Sequence, residues 1–353
     1  LGSRVREMPL VLVLEDCHWL DALSHDLLQE IANSITNLPV LIILTFRDFE
    51  PEKQRQPGIS SLPHHTAITL SPLTQEDLAT LAQYKLLQWP ANGRNEETTL
   101  KLAQRIAQQA DGNPFYLEEL VNYVGNQALE AIDPNELSSL ELPTSLQGLV
   151  LSRLDQLTER PKTLLKVASV VGRVFHASWL EGIYPELGTL IDIQEGLQIL
   201  NRQQFTVFDP AEGEDTYYFR NLITRSVIYD SLLYKSRTAI HEQTGQFLET
   251  TYRDETDQYL DLLAYHFDHS QNADKKRYYL RRAGEFAQRS YANQAAMEYF
   301  RKVLPLLSPE GKIEIMLKVG DVEQLIGQWD EAESHYQEAL TLAKSEGELS
   351  AVG

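Results

Sequence analysis

Five consecutive apolar residues, Leu10 to Leu14, form the first strong signal in the chain, and the run stops at two carboxylates, Glu15 and Asp16. It is far too short to span a membrane and suits a β-strand buried on both faces. Leu23, Leu27, Leu28, Ile31 and Ile35 follow at near-helical spacing and predict one buried stripe over 21–35. A second β-rich run, LPVLIILTFRD over 38–48, ends in Thr45, Phe46 and Arg47. Residues 49–65 are polar and contain proline, which predicts a surface loop; its His64–His65 pair is a weak metal signal. TAITL, 66–70, reads as a short last strand.

Helical spacing then takes over. Thr74 opens a capping-box-like start, and Leu78, Leu81, Ala82 and Leu86 share the face that follows. A second helix is predicted over 96–110, ending in Asp111-Gly112-Asn113-Pro114. Glycine there suits a left-handed cap, and proline the first turn of the next helix, FYLEELVNYV. Beyond the polar stretch 133–143, apolar stripes predict helices over 143–157, 162–171 and 193–201, with the second stopped by Gly172. Strands at 205–209 and 217–220 flank the acidic turn AEGED. Three helices and a hairpin predict a winged helix. From Ser236 onward only helical patterns remain. Gly284, Ala296, Phe300 and Val303 recur 36 positions later as Gly320, Ala332, Tyr336 and Ala339, close to the period of tetratricopeptide repeats. Such repeats bury their core by stacking and bind proteins on a concave face.

Composition sets limits on these elements. With 353 residues the chain has room for two to three domains, and 31 Lys and Arg against 51 Asp and Glu give a net charge of −20. That charge disfavours bulk binding to nucleic acid or anionic membrane. Arg220, Arg225, Lys235 and Arg237 in the winged-helix region could still meet phosphates. The single cysteine, Cys17, excludes an intramolecular disulfide framework and fits a reducing, cytoplasmic setting. No membrane span or signal peptide is expected.

The chemistry concentrates where the first strand ends. A parallel strand that delivers acids at its carboxyl end is how P-loop NTPases hold magnesium and polarise water. An ordinary core strand followed by a helix N-terminus, with acids favoured by the helix dipole, is the alternative. The run PLVLVLEDCHWLD, 9–21, resembles the Walker B segment of STAND-type ATPases, in the branch of the MalT-like and cyclase-associated regulators. GNPFYLEELV, 112–121, is similar to the Gly-x-Pro lid motif of that family, and LPTSLQGLVLSRLDQL and FRNLITRSVIYDSLL resemble its winged helix.

The resemblance implies a fold that is α/β and then mostly α. A partial P-loop NTPase sheet (1–72) is followed by a helical lid (73–135), a winged helix (140–235) and TPR-like helical repeats (236–353). It implies ATP and Mg as cofactors in the intact protein. Glu15 and Asp16 would serve magnesium and water, Glu15 favoured for the ion and Asp16 for the water, although many relatives carry Asp at the first position. Arg47 would sense the γ-phosphate, and Gly112 and Pro114 would shape the lid on bound nucleotide. The family commonly has a histidine where this chain has Asn221, which removes one expected phosphate contact.

A Walker A loop, G-x-x-x-x-G-K-[ST], does not occur. The only Gly-Lys is Gly311-Lys312, with Leu306 in place of the first glycine. The expectation is therefore a fragment, inactive as an ATPase alone, with the first seventy residues poorly stable by themselves. The function implied is an ATP-dependent conformational switch in signal transduction, with a protein partner on the repeats and self-association on ATP binding. The alternatives are a non-catalytic winged-helix and repeat scaffold, or a transcriptional activator whose DNA-binding domain lies elsewhere.

Overall fold

Two β-strands of alternating exposure, rather than a doubly buried layer, begin the fold. The structure is a computed structural model that describes residues 8–15, 17, 20, 22–46, 64–88, 96–126, 142–211 and 215–346. It divides into two compact units, Leu1–Ser71 and Pro72–Gly353. In the first unit β1 (Leu10–Leu14) and β2 (Val40–Leu44) pair in parallel, Leu10 opposite Val40 and Leu14 opposite Leu44, with α1 (Ala22–Ser34) as the crossover. Val11, Val13, Leu41 and Ile43 occupy one face of this pair and are 42–57% exposed. The expectation of burial on both faces fails because two strands have only one covered face. In α1 the stripe shifts by one position: Leu28 is buried, whereas Leu27 is 60% exposed. TAITL forms no strand pairing among the described residues, and Ile68 and Leu70 are exposed. β-propensity alone cannot hold a strand that finds no ladder.

The second unit is mostly helical. α2 (Gln75–Gln88), α3 (Glu96–Ala110) and α4 (Pro114–Asn126) share a core of Leu78, Leu102, Ile106, Leu117 and Leu120, which Leu149 of α5 (Leu146–Asp155) also joins. Thr74 caps α2, its hydroxyl accepting from Asp77 N at 3.1 Å. Next come α6 (Glu159–Val171), β3 (Val174–His176), α7 (Ala177–Ile183), α8 (Leu190–Arg202), β4 (Thr206–Phe208), β5 (Thr216–Phe219) and α9 (Leu222–Asp230). The strands form an antiparallel sheet in the order β3-β5-β4, so the anticipated hairpin gains a third strand on the outer side of β5. Phe175, Phe205 and Phe219 anchor this sheet in the core beneath it.

The remaining helices pack as successive neighbours: α10 (Tyr234–Thr251), α11 (Leu260–Asp268), α12 (Ala273–Arg289), α13 (Asn293–Val303), α14 (Pro309–Leu325) and α15 (Trp329–Glu346). The 36-residue repeat governs their geometry. Gly284 lets α13 approach until a Cβ would stand 2.6 Å from the Phe300 ring, and Gly320 admits Tyr336 with the corresponding distance at 2.5 Å. The N-caps recur, Asn272 accepting from Lys275 N and Ser308 from Gly311 N. So do the turns within each pair. Ala292 N bonds Ala287 O at 2.9 Å and Gln328 N bonds Glu323 O at 2.8 Å, around Tyr291 (φ 59°) and Gly327 (φ 80°). This six-to-one closure around a left-handed residue is the usual way to end a helix. α10 and α11 form a third pair with the same device, Gly245 against the Phe267 ring.

Candidate functional site

The acids predicted to carry the chemistry sit where the first strand turns. Thr45 clamps that turn from β2: its N donates to Leu14 O at 3.0 Å and its O accepts from Cys17 N at 2.8 Å. The buried Cys17 thiol also donates to Leu14 O at 3.2 Å. Leu14 and Cys17 are thereby tied to the end of β2, with Glu15 exposed at the carboxyl end of the parallel pair. Ligands of open parallel sheets bind outside the carboxyl ends of the strands. Asp16 and Arg47 lie outside the described residues, and so do His18 and Trp19. An exposed carboxylate is the hard oxygen donor that Mg prefers, so Glu15 suits the expected ion in kind. Among the described residues no group of three or more His, Cys, Asp or Glu is placed to hold a metal.

Gly112 and Pro114 form the turn between α3 and α4. Asp111 (φ 44°) and Gly112 (φ 82°) are both left-handed. Asn113 then caps α4, its Oδ1 accepting from Phe115 N at 3.0 Å and Tyr116 N at 3.1 Å, and Pro114 opens the helix. Gly112 meets a second demand: its carbonyl accepts from Leu73 N at 3.0 Å, and a Cβ here would lie 2.7 Å from Pro72 Cβ. In the second unit this residue therefore docks the segment that leads into α2.

Sequence reasoning missed the charges at the centre of this region. Glu119 of α4 and Arg153 of α5 form a buried ion pair. The Arg153 guanidinium also donates to Gln203 O at 2.5 Å and lies 4.3 Å from the centroid of the Phe205 ring. Burial pushes the Glu119 carboxyl up, and Arg153 opposes that shift. One arginine thus ties α4, α5 and the α8–β4 turn together. The signal was present, since Arg153 stands on the stripe made by Leu149, Val150, Leu154 and Leu157, where a charge has no solvent.

A second buried polar cluster lies between α9, α10 and α11. His241 Nδ1 and His266 Nδ1 are 2.9 Å apart, and the Tyr229 hydroxyl is 2.9 Å from His241 Nε2. Burial lowers both imidazoles, His241 to about 2 and His266 to about 3, with His269 and Arg225 adding to the effect. Both rings are neutral, so one nitrogen of the pair donates and the other accepts. Two of the arginines that could have met phosphates serve this same region. Arg225 Nε donates to Ser169 O at 2.9 Å, and Arg237 pairs with Asp230 while covering the Tyr229 ring at 4.7 Å. Asn221 caps α9, accepting from Ile223 N at 2.7 Å.

No protein-family model matches the chain. An uncharacterized protein of Rhizobium meliloti (strain 1021) is 26% identical to it over 254 residues, covering 69% of this chain and 22% of that protein. The chain therefore spans about a fifth of that relative's length. Among solved structures it is similar to a Signal Transduction ATPase with Numerous Domains protein with a tetratricopeptide repeat sensor from Pyrococcus horikoshii. The TM-score is 0.44 at 14% identity, over 96% of this chain and 62% of that one. Among the described residues no helix is long and apolar enough to cross a membrane.

Proposed function

We propose that this chain is part of a STAND-type regulatory ATPase, in which ATP binding switches the arrangement of domains and helical repeats engage a protein partner. The observation that carries the reading is the Thr45 clamp, which holds the Glu15 turn at the carboxyl end of two parallel strands. Glu15 and Asp16 would hold magnesium, which neutralises phosphate charge when bound. Arg47, two residues beyond Thr45, would supply a planar, permanently charged donor to the γ-phosphate. The Asp111–Pro114 turn shapes the lid.

The helix–strand–helix–helix–hairpin order of α6 to β5 supports a winged helix. Its part is to pack on the switch rather than to read DNA. α8 bears Asp192 and Glu195, and Arg225 and Arg237 are engaged internally. The repeat register over α12 to α15 supports a stacked array with a protein-binding role. The test is a Mg-ATP titration of the full-length protein. Saturable, magnesium-dependent binding that Asp16→Asn and Arg47→Ala each weaken at least ~10-fold is expected, about 1.4 kcal/mol or more. Nucleotide binding that is absent, or indifferent to both substitutions, would leave a scaffold in place of a switch.

A further inference from the structure

A cavity of about 340 Å³ opens between the end of α10, the short 3-10 turn Arg253–Tyr259 and α12. That is the size at which pockets begin to hold small molecules, but its lining is unusual for a chain of net charge −20. Three cations, Arg253, Lys275 and Arg282, converge on it against one lining carboxylate, Glu249. Thr250, Thr256, Tyr278 and Tyr279 complete the wall.

Among the lining residues, pairing engages the one carboxylate, Glu249, and leaves Arg253 over; Asp254 and Glu255 of the adjoining turn are exposed. Glu249 Oε1 already accepts from both Lys275 and the Tyr279 hydroxyl, the latter at 2.8 Å. Asp257 takes Arg282 Nη2 at 2.5 Å, and Arg282 Nη1 lies 3.3 Å from the Tyr278 hydroxyl. Arg253 makes no side-chain hydrogen bond or ion pair among the described residues. Its guanidinium is a planar fork of donors matched to two oxygens of one group. Arg282 is held in orientation by Asp257 and the Tyr278 ring, 5.7 Å from guanidinium carbon to centroid. Presenting Arg282 on binding therefore costs little side-chain entropy, whereas the exposed Arg253 is ordered by the ligand itself.

We propose that this cavity binds a small oxyanion ligand, a carboxylate- or phosphate-bearing molecule, with Arg253 as its principal contact and Lys275 and Arg282 as supporting charges. The site uses only residues 249–282, so it stands independently of any nucleotide bound elsewhere. Its position in the first groove of the helical array would let ligand occupancy stiffen the α10–α12 junction.

The experiment is calorimetric titration of the chain at low ionic strength with inorganic phosphate and, separately, with succinate. Saturable binding of at least one probe at millimolar or lower Kd is expected, weakened at least ~5-fold by Arg253→Gln and by added salt. Arg253 is exposed, so the substitution leaves the fold intact. Glu249→Gln removes the competing carboxylate, frees Lys275 and is expected to tighten binding. Phosphate binding without succinate binding assigns a phosphate-bearing ligand, and the reverse assigns a carboxylate. The proposal is overturned by no saturable heat with either probe up to about 20 mM, by equal binding in the wild type and Arg253→Gln, or by a Glu249→Gln variant that binds no better.

Discussion

Arg153 and Glu119 face each other with side chains 0% and 3% exposed, an ion pair removed from water at the meeting of α4, α5 and the α8–β4 turn. Removing one partner strands the other charge. Glu119→Gln is expected to destabilise the second unit by about 3–5 kcal/mol. The double variant Glu119→Leu/Arg153→Met should recover much of that loss, since apolar pairs of similar volume often replace buried ion pairs at little cost. Urea unfolding of the wild type, the single variants Glu119→Leu and Arg153→Met and the double variant measures the coupling, and additive single effects would contradict it.

Tyr291 and Gly327 hold the same left-handed position in successive repeats, but only one of them has a residue suited to it. Tyr291→Gly is expected to stabilise the array by about 1 kcal/mol, and Gly327→Ala to destabilise it by about the same amount. Both sites are open to solvent: Tyr291 is 73% exposed, and nothing lies within 4 Å of a Cβ built on Gly327. Opposite shifts in thermal midpoint check the pair.

Gly320 works by space rather than backbone angle. A methyl at this position meets the Tyr336 ring, so Gly320→Ala should cost about 1–3 kcal/mol through overpacking. Adding Tyr336→Leu to Gly320→Ala should restore part of the loss. Chemical denaturation of the single and double variants decides whether the contact is steric.

His241 and His266 make the fold sensitive to acid. Their folded pKa values, about 2 and about 3, lie below the ordinary 6.5. In the unfolded chain both histidines take up protons as pH falls through 6.5, while in the folded chain they do not. Their stabilising contribution is thus fully present above pH 6.5 and is lost progressively toward pH 3. Arg225, Arg237, Tyr229, Tyr265 and His269 face the pair, and none offers it a negative charge. Between pH 6.5 and 5 each histidine should remove about 2 kcal/mol. His266→Gln should flatten the profile by that amount, read as the difference in urea midpoint between pH 7 and pH 5.

The parts of this fold that were legible in the sequence are those with a period. The helix pairs α12–α13 and α14–α15 follow from residues recurring at a fixed distance, and the structure repeats their caps and turns at that same distance. The pair α10–α11 escaped because its connection carries the extra turn Arg253–Tyr259, which separates Gly245 from Phe267 by more than Gly284 from Phe300. β3 is three residues long, too short for alternation to declare itself, and the backbone of β5 defines it instead. Arg153 and Glu119 were hidden for the opposite reason. Each is a charge on an apolar stripe, and only tertiary packing reveals the partner. At the acid-bearing turn the strand order and the position of Glu15 were legible, whereas the Thr45 clamp is a backbone contact that no side-chain pattern encodes.

Because the N-cap, the left-handed turn and the small-against-aromatic contact all recur in one register, residues 273–308 behave as a transferable segment. Each copy ends where the next cap begins, Asn272 in one and Ser308 in the other. An in-frame duplication of that stretch would meet a matching face on either side and lengthen the array by one unit without a new junction. The surface of the array could therefore grow or shrink by whole copies, with the acid-bearing turn and the α3–α4 turn left untouched.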